Sequence, residues 1–339
     1  MEYRYLGNSG LKVSELCLGT WTFGHDKSIR SIGYDTAKPI IDHAIDSGIN
    51  FFDTADVYSN GESELILGKA ISSFKRENLI ISTKLRFLAS YPKRDVILSG
   101  LSRKQVIERC DASLKRLGTD YIDVYMLHGF DRNTPLEETL RALNDLVRQG
   151  KVRYTGCSNF SAWQVIKGLW ISDKQNLEKF ITLELYYSLA AREIEFEMVP
   201  LCLDQGMGIM VWSPLGGGFF SGKYHKGQPR PKDSRREDVN NPIMQGLPID
   251  EEKGFDIIDK LEKIAKNHNK TVAQTAINYI LHKQAVSSVI IGVRKSEQLE
   301  DNLGSVGWTM TKEEIQELDE ISMPAIIYPY WHQKLTENQ

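Results

Sequence analysis

The sequence predicts an α/β fold: a (β/α)8 barrel with an N-terminal β-hairpin, a long loop after strand seven and a C-terminal helix and tail. Three observations predict it. Eight short apolar runs are each followed by helical periodicity, a rhythm that builds a parallel sheet with helices outside. Eight such units in roughly 300 residues fit a closed barrel, which at this size is one domain; a single domain over residues 1–339 is expected. The first strand leaves through "GTWTFG", which lacks the G-x-G-x-x-G of the rival arrangement, an open dinucleotide-binding sheet.

The elements follow in order. "MEYRYLGNSGLKVSEL" reads as a hairpin, with Asn8-Ser9-Gly10 as a turn suited to positive φ. "ELCLGT" is the first barrel strand. Residues 35–47 carry helical periodicity and Gly48 stops them. "INFFDTA" is a strand and "ESELILGKAISSF" a helix; "NLIISTK" is a strand, and a helix over 102–117 starts from Ser102 as cap. "YIDVYMLH" precedes a helix with Pro135 near its start and Gly150 after its end. "VRYTGCS", "ITLELYY" and "GIMVWS" are strands, the first two followed by the helices "SAWQVIKGLWIS" and "REIEFEMVPLCLDQG". A polar loop over 214–250 leads to helices at 251–268 and 271–283. "SSVIIG" is the last strand; helices at 296–306 and 311–321 and the aromatic tail "IIYPYWHQ" end the chain.

Composition narrows the function classes. With 41% hydrophobic and 26% charged residues, the chain suits a soluble globular protein with a large core. A net charge of −3 points to no nucleic-acid partner, though a basic face can hide in such a total. Cys17, Cys110, Cys157 and Cys202 form no C-x-x-C pair, which reads as buried thiols in a reducing compartment. No signal peptide and no apolar run of spanning length are visible, so a cytoplasmic protein away from the membrane is expected. Oligomeric state stays open.

In such a barrel the active site lies at the C-terminal ends of the strands. Read in order, these exits carry Gly19-Thr20-Trp21, Asp53 with Tyr58 one loop later, Lys84, His128, Ser158-Asn159, Glu184 with Tyr187, Trp212-Ser213, and Gly292 with Arg294 and Lys295. Singly, each has an ordinary reading as a cap, a solvated charge or a packing residue. Four strands delivering Asp, Tyr, Lys and His to one rim suit proton transfer coupled to hydride transfer. A phenol is a poor acid at neutral pH, and a nearby ammonium such as Lys84 favours its ionised form. Asp53 is expected to hold Lys84 against its desolvation cost. His128, as neutral imidazole, is expected to orient a carbonyl oxygen, and Tyr58 to protonate it. A metal-dependent barrel hydrolase would need an H-x-H type cluster, and the sequence has none; no metal is expected.

The motifs "GTWTFG", "FFDTADVYSNGESELILGKAI", "ISTK", "YMLH", "GCSNFS", "VWSPLGGGFFSGKY" and "GVRKSEQLEDN" together resemble the aldo-keto reductases over about residues 1–322. The resemblance implies a (β/α)8 barrel that binds NADPH without a Rossmann domain and reduces an aldehyde or ketone. It puts the family's catalytic Asp, Tyr, Lys and His on Asp53, Tyr58, Lys84 and His128. Thr20, Trp21 and Asp53 are expected near the cofactor. Ser158 and Asn159 would hold the nicotinamide carboxamide, with Glu184 where the family usually has Gln, and Trp212 would stack on the ring. Ser213, Pro214, Leu215, Gly216, Gly222 and Lys223 would follow the pyrophosphate. Gly292, Arg294 and Lys295 would reach the adenosine 2′-phosphate, and Gln298, Asp301 and Asn302 the adenine. Trp21, Phe23, Tyr58, His128, Tyr328, Tyr330 and Trp331 are candidates for the substrate wall. Two readings of the basic loop residues Lys226, Arg230, Lys232, Arg235 and Arg236 stay open: closure over the phosphates, or a surface loop.

The chain also resembles the β-subunits of voltage-gated potassium channels, through "SRKQVIE", "TPLEETLRAL" and "WSPL…SGKY". That implies an alternative, a regulatory subunit with little or no catalysis. His128 separates the two, since the channel subunits resemble this sequence less there, with Asn.

Overall fold

The computed structural model describes residues 1–26, 31–87, 99–231 and 247–336. A hairpin, β1 (Tyr3–Tyr5) and β2 (Lys12–Ser14), opens the chain. Strands and helices then alternate: β3 (Leu16–Gly19), α1 (Tyr34–Asp46), β4 (Phe51–Asp53), α2 (Glu62–Ile71), β5 (Ile80–Leu85), α3 (Arg103–Leu117), β6 (Ile122–Leu127), α4 (Leu136–Arg148), β7 (Val152–Ser158), α5 (Ala162–Gln175), β8 (Phe180–Tyr186), α6 (Ile194–Gln205) and β9 (Gly208–Trp212). After the long loop come α7 (Glu251–Asn267), α8 (Val272–Leu281), β10 (Val286–Gly292), α9 (Ser296–Leu303), α10 (Lys312–Ser322) and α11 (Tyr330–Thr336). Strands β3 to β10 pair in parallel in chain order, and β10 closes on β3. This is the predicted (β/α)8 barrel.

Period-two alternation divides each strand between two environments. Outward side chains such as Leu16, Leu18, Phe52, Ile81 and Leu127 pack under the helices in one large core. Inward ones, Cys17, Phe51, Val124, Met126, Met210 and Ile290, fill the barrel together with Leu6 and Val13 of the hairpin. The hairpin therefore plugs the end where the strands begin. Its close approach rests on Gly7, at φ +61, where a Cβ would lie 2.6 Å from the Gly206 carbonyl oxygen. The left-handed residue of this turn is thus Gly7 and not, as expected, one of Asn8-Ser9-Gly10; the plug decides the geometry, not the turn signal.

Helix ends follow local chemistry. Ser102 caps α3 by accepting from Gln105 N, and Gly150 at φ +74 follows α4. The helix expected over 62–74 stops at Ile71, where Ser72 Oγ turns back to the Lys69 carbonyl. No helix among the described residues is long and apolar enough to cross a membrane.

Candidate active site

The open end of the barrel collects an unusual density of buried polar groups. Register places Gly19, Asp53 and Ser82 side by side on β3, β4 and β5, and Ser158, Glu184 and Met210 on β7, β8 and β9. Lys84, two residues beyond Ser82, points the same way and is fully buried. Its ammonium lies 2.6 Å from Asp53 Oδ2, 2.9 Å from the Thr54 carbonyl oxygen, 3.1 Å from Glu184 Oε2 and 3.4 Å from the Tyr58 hydroxyl. A charge this deep is tolerated only because it is paired and hydrogen-bonded.

Tyr58 reaches the rim through a tight turn. After β4 the chain enters one 3-10 turn, Tyr58–Gly61, in which Ser59 and Asn60 are left-handed, at φ 45° and 57°. Gly24, the last residue of "GTWTFG", makes room for it: a Cβ there would lie 2.3 Å from Ser59 Cβ. The Tyr58 and His128 rings meet edge to face with centroids 5.8 Å apart, and Phe87 also meets His128 edge to face at 5.2 Å. His128 follows β6, its backbone N–H donating to the Leu85 carbonyl.

The electrostatics follow from burial and from two carboxylates sharing one ammonium. Burial and the adjacent Asp53 push Glu184 up to about 8, against the pull of Lys84. Asp53 and Glu184 both reach the Lys84 ammonium, at 2.6 and 3.1 Å, and two buried carboxyls sharing one cation favour a proton on one of them. Asp53 holds Lys84 at the shorter distance, so Glu184 is the member that carries it. Burial works against the charge on Lys84, but the Asp53 carboxylate, with Glu184 behind it, outweighs burial and Lys84 stays charged. Burial, then Lys84, Arg86 and Arg109, hold His128 well below its ordinary value, so its ring is neutral. The expected lowering of the Tyr58 phenol does not occur. Burial raises it, Lys84 opposes, and Asp53 and Glu184 add to the rise.

The sequence model of the Aldo/keto reductase family matches residues 15–323. The chain belongs to the aldo/keto reductase family. Relatives span nearly its whole length. It is 37% identical to "Versiconal hemiacetal acetate reductase" of Aspergillus parasiticus, covering 97% of this chain and 99% of that one. It is 36% identical to "Uncharacterized oxidoreductase YrpG" of Bacillus subtilis, covering 95% and 96%. It is 39% identical to "Probable voltage-gated potassium channel subunit beta" of Arabidopsis thaliana, covering 90% and 91%.

The other residues expected at this aldo/keto reductase site are distributed unevenly. Asn159, left-handed at φ 58°, is exposed on the rim and donates to Ser158 Oγ and the His128 carbonyl oxygen. Trp212 stacks on Tyr186 at 4.8 Å, and its indole N–H is buried with no protein partner among the described residues. Beyond it the loop turns through left-handed Ser213, Gly216, Gly217 and Gly218, tied by Gly217 N donating to Ser213 Oγ; Pro214 is buried and Leu215 half-buried within it. Gly222 stays left-handed and Lys223 is exposed. Across the mouth, exposed Gly292 ends β10, and Arg294 and exposed Lys295 lead into α9.

Several expectations need correction. Thr20 is fully buried, bonded to the Asp53 carbonyl oxygen and Ser63 Oγ, so it clamps β3 to β4 instead of facing a ligand. Phe23 is wholly inside the main core and lines no open wall. Glu184, expected by the nicotinamide carboxamide, is buried with Oε2 3.1 Å from the Lys84 ammonium. Gln298 accepts from Arg294 N, and Asp301 Oδ1 accepts from Thr271 and Gln274, while Asn302 is buried. The tail is anchored outside the barrel: Tyr330 stacks on Phe196 and donates to Glu197 on α6. Tyr328 and Trp331 remain largely exposed. Trp21 is half-buried at the exit of β3. In the basic loop, Lys226 pairs with Glu252 of α7 and Arg230 with Glu251; Lys232, Arg235 and Arg236 lie outside the described residues.

Ser82, Thr54 and Phe87 were missed. Ser82 is fully buried beside Asp53 in register and helps hold its charge, and its i, i+2 relation to Lys84 was the available signal. Thr54 acts through its backbone carbonyl and Phe87 through contact with His128, which no residue-type pattern announces.

Proposed function

We propose that the chain is an NADPH-dependent oxidoreductase that reduces an aldehyde or ketone to an alcohol, with Tyr58 as the general acid. One observation carries the reading. The Tyr58 hydroxyl shares the rim with neutral His128, and behind it stands a buried ammonium braced by Asp53. A phenol held in its protonated form has a proton to give at neutral pH, and a charged neighbour steadies the phenolate left behind. Neutral His128 donates to the carbonyl oxygen and aims it at Tyr58.

The residues fit a nicotinamide dinucleotide phosphate. His128 Nδ1 and Trp212 Nε1 are buried at the rim without protein partners among the described residues. Asn159 offers an exposed amide, and two cations stand at the start of α9, where the backbone also favours an anion. Ser158, Asn159 and Trp212 would hold the nicotinamide end, the Ser213–Gly218 turn and Lys223 the diphosphate, and Arg294 and Lys295 the 2′-phosphate. Bound there, the cofactor supplies the hydride; the chain's own work is to orient the carbonyl, deliver the proton and exclude water. A carbonyl panel followed by NADPH absorbance tests the reading: turnover of an aldehyde or ketone is expected, and no turnover across aliphatic, aryl and sugar carbonyls would overturn it.

The names of its channel-subunit relatives favour a second reading, a regulatory subunit with little catalysis. His128 and the complete Asp53–Lys84–Tyr58 cluster weigh for the enzyme. A complex with a channel, formed equally by the wild type and a Tyr58→Phe variant, would favour the subunit.

A further inference from the structure

Glu184 is the feature the reading above leaves unused. An ammonium has three N–H donors, and four acceptors surround Lys84 Nζ. Asp53 Oδ2 at 2.6 Å and the Thr54 carbonyl oxygen at 2.9 Å are the nearest. One N–H remains, with two claimants: Glu184 Oε2 at 3.1 Å and the Tyr58 hydroxyl at 3.4 Å. Glu184 Oε2 and Asp53 Oδ1 have no hydrogen-bond partner among the described residues, although both are buried. A proton on Glu184, shared with Asp53, satisfies such oxygens.

We propose that Glu184 is a positioning residue that governs Tyr58 through Lys84: protonated, it bonds Asp53 and leaves the third N–H of Lys84 to the Tyr58 oxygen; ionised, it takes that N–H for itself. No bond other than O–H and N–H contacts changes, and the proton leaves to solvent. The inference rests on the proposed acid role of Tyr58.

The surroundings of Glu184 support one titration. Asp53 faces it from β4, Lys84 from β5, Tyr58 from the turn after β4 and the Cys17 thiol from β3. Its register neighbours on β7 and β9, Ser158 and Met210, do not titrate in any ordinary range. Cys17 is pushed up by burial and then by the two carboxylates, so it stays a thiol. Lys84 stays charged; burial raises Asp53 as well, but Lys84 bonds it at 2.6 Å and favours its charged form. Glu184 is therefore the group that changes state, near its raised value of about 8. Above that point a second full negative charge sits by Tyr58, which makes its phenolate harder to form and its proton harder to give.

The test compares pH profiles of kcat for carbonyl reduction in wild type, Glu184→Gln and Glu184→Asp. Wild type should lose about tenfold per pH unit above its midpoint near 8. Glu184→Gln, which cannot ionise, should lack that limb, and Glu184→Asp should keep one. A Glu184→Gln profile superimposable on wild type overturns the proposal. Difference infrared spectroscopy on the cofactor-free protein gives an independent readout. Buried Asp56, raised to about 7, also contributes protonated carboxyl signal at neutral pH, so the readout is the part of the band that Glu184→Gln lacks: it should vanish in wild type near 8, and equal bands in wild type and Glu184→Gln at neutral pH overturn the proposal. Tyr58→Phe is the separating arm: if it retains turnover, the acid assignment fails, whereas loss of turnover with no change in the Glu184→Gln profile refutes only the role of Glu184.

Discussion

Asp53 and Glu184 are both buried carboxyl residues within reach of Lys84, yet removing their charge should have unequal consequences. In Asp53→Asn the ammonium loses its 2.6 Å carboxylate while its side chain stays at 0% exposure. Breaking a buried pair by deleting one partner costs about 3–5 kcal/mol. Glu184, at 3.1 Å, can lose its proton and replace part of that charge, so the lower end applies, about 3 kcal/mol. Glu184→Gln removes a group that is already neutral at pH 7, and the amide N–H can still donate to Asp53, so the loss should be within about 1 kcal/mol. Urea unfolding of wild type and both variants, followed by far-ultraviolet circular dichroism, reads the difference. Equal destabilisation by the two substitutions would refute the assignment of the proton to Glu184, and so would an Asp53→Asn variant as stable as wild type.

Further predictions follow from the same geometry. Because folding raises Glu184 from its ordinary 4.5 to about 8, its contribution to stability is complete below the lower value and is lost as pH rises to the upper one. Unfolding midpoints measured across that interval should fall less steeply in Glu184→Gln, and an unchanged slope would contradict the shift. Arg116→Met should lower Tm by several degrees, a loss of about 3 kcal/mol, because Glu64 is fully buried and its Oε2 lies 2.6 Å from Arg116 Nε; a wild-type Tm would show that its other partner, the Thr83 hydroxyl donating to Oε1, alone suffices. Arg294→Ala should weaken NADPH binding by tenfold or more while sparing NADH, an effect of roughly 1.5–3 kcal/mol for a charge-assisted contact. Equal loss for both nucleotides would remove the 2′-phosphate from that residue.

The barrel was legible because its signals are local. Period-two runs, capping residues and helix stops lie within a few positions of what they decide, so β3 to β10 and their helices could be read in order. The rim positions of Asp53, Lys84 and His128 came with the strand ends. What could not be read is the choice of partner across elements. Glu184 stood in the place of the family's usual Gln, but its contact with Lys84 depends on a residue from another strand. Phe23 and Thr20 sit beside a motif that turns toward the site, yet the chain buries both. Asp301 is claimed by Thr271 and Gln274 of α8. The rise in the Tyr58 phenol was missed because burial, the dominant cause, is a property of the folded rim and not of the residue types around it.

The central claim is that Tyr58 gives the proton that completes carbonyl reduction, and Tyr58→Phe tests it most directly. Removing a positioned acid should lower turnover by about 100-fold to 10,000-fold. The affinity for NADPH, read by protein fluorescence quenching, should stay near that of wild type. A variant that turns over a carbonyl at the wild-type rate with NADPH bound would contradict the account.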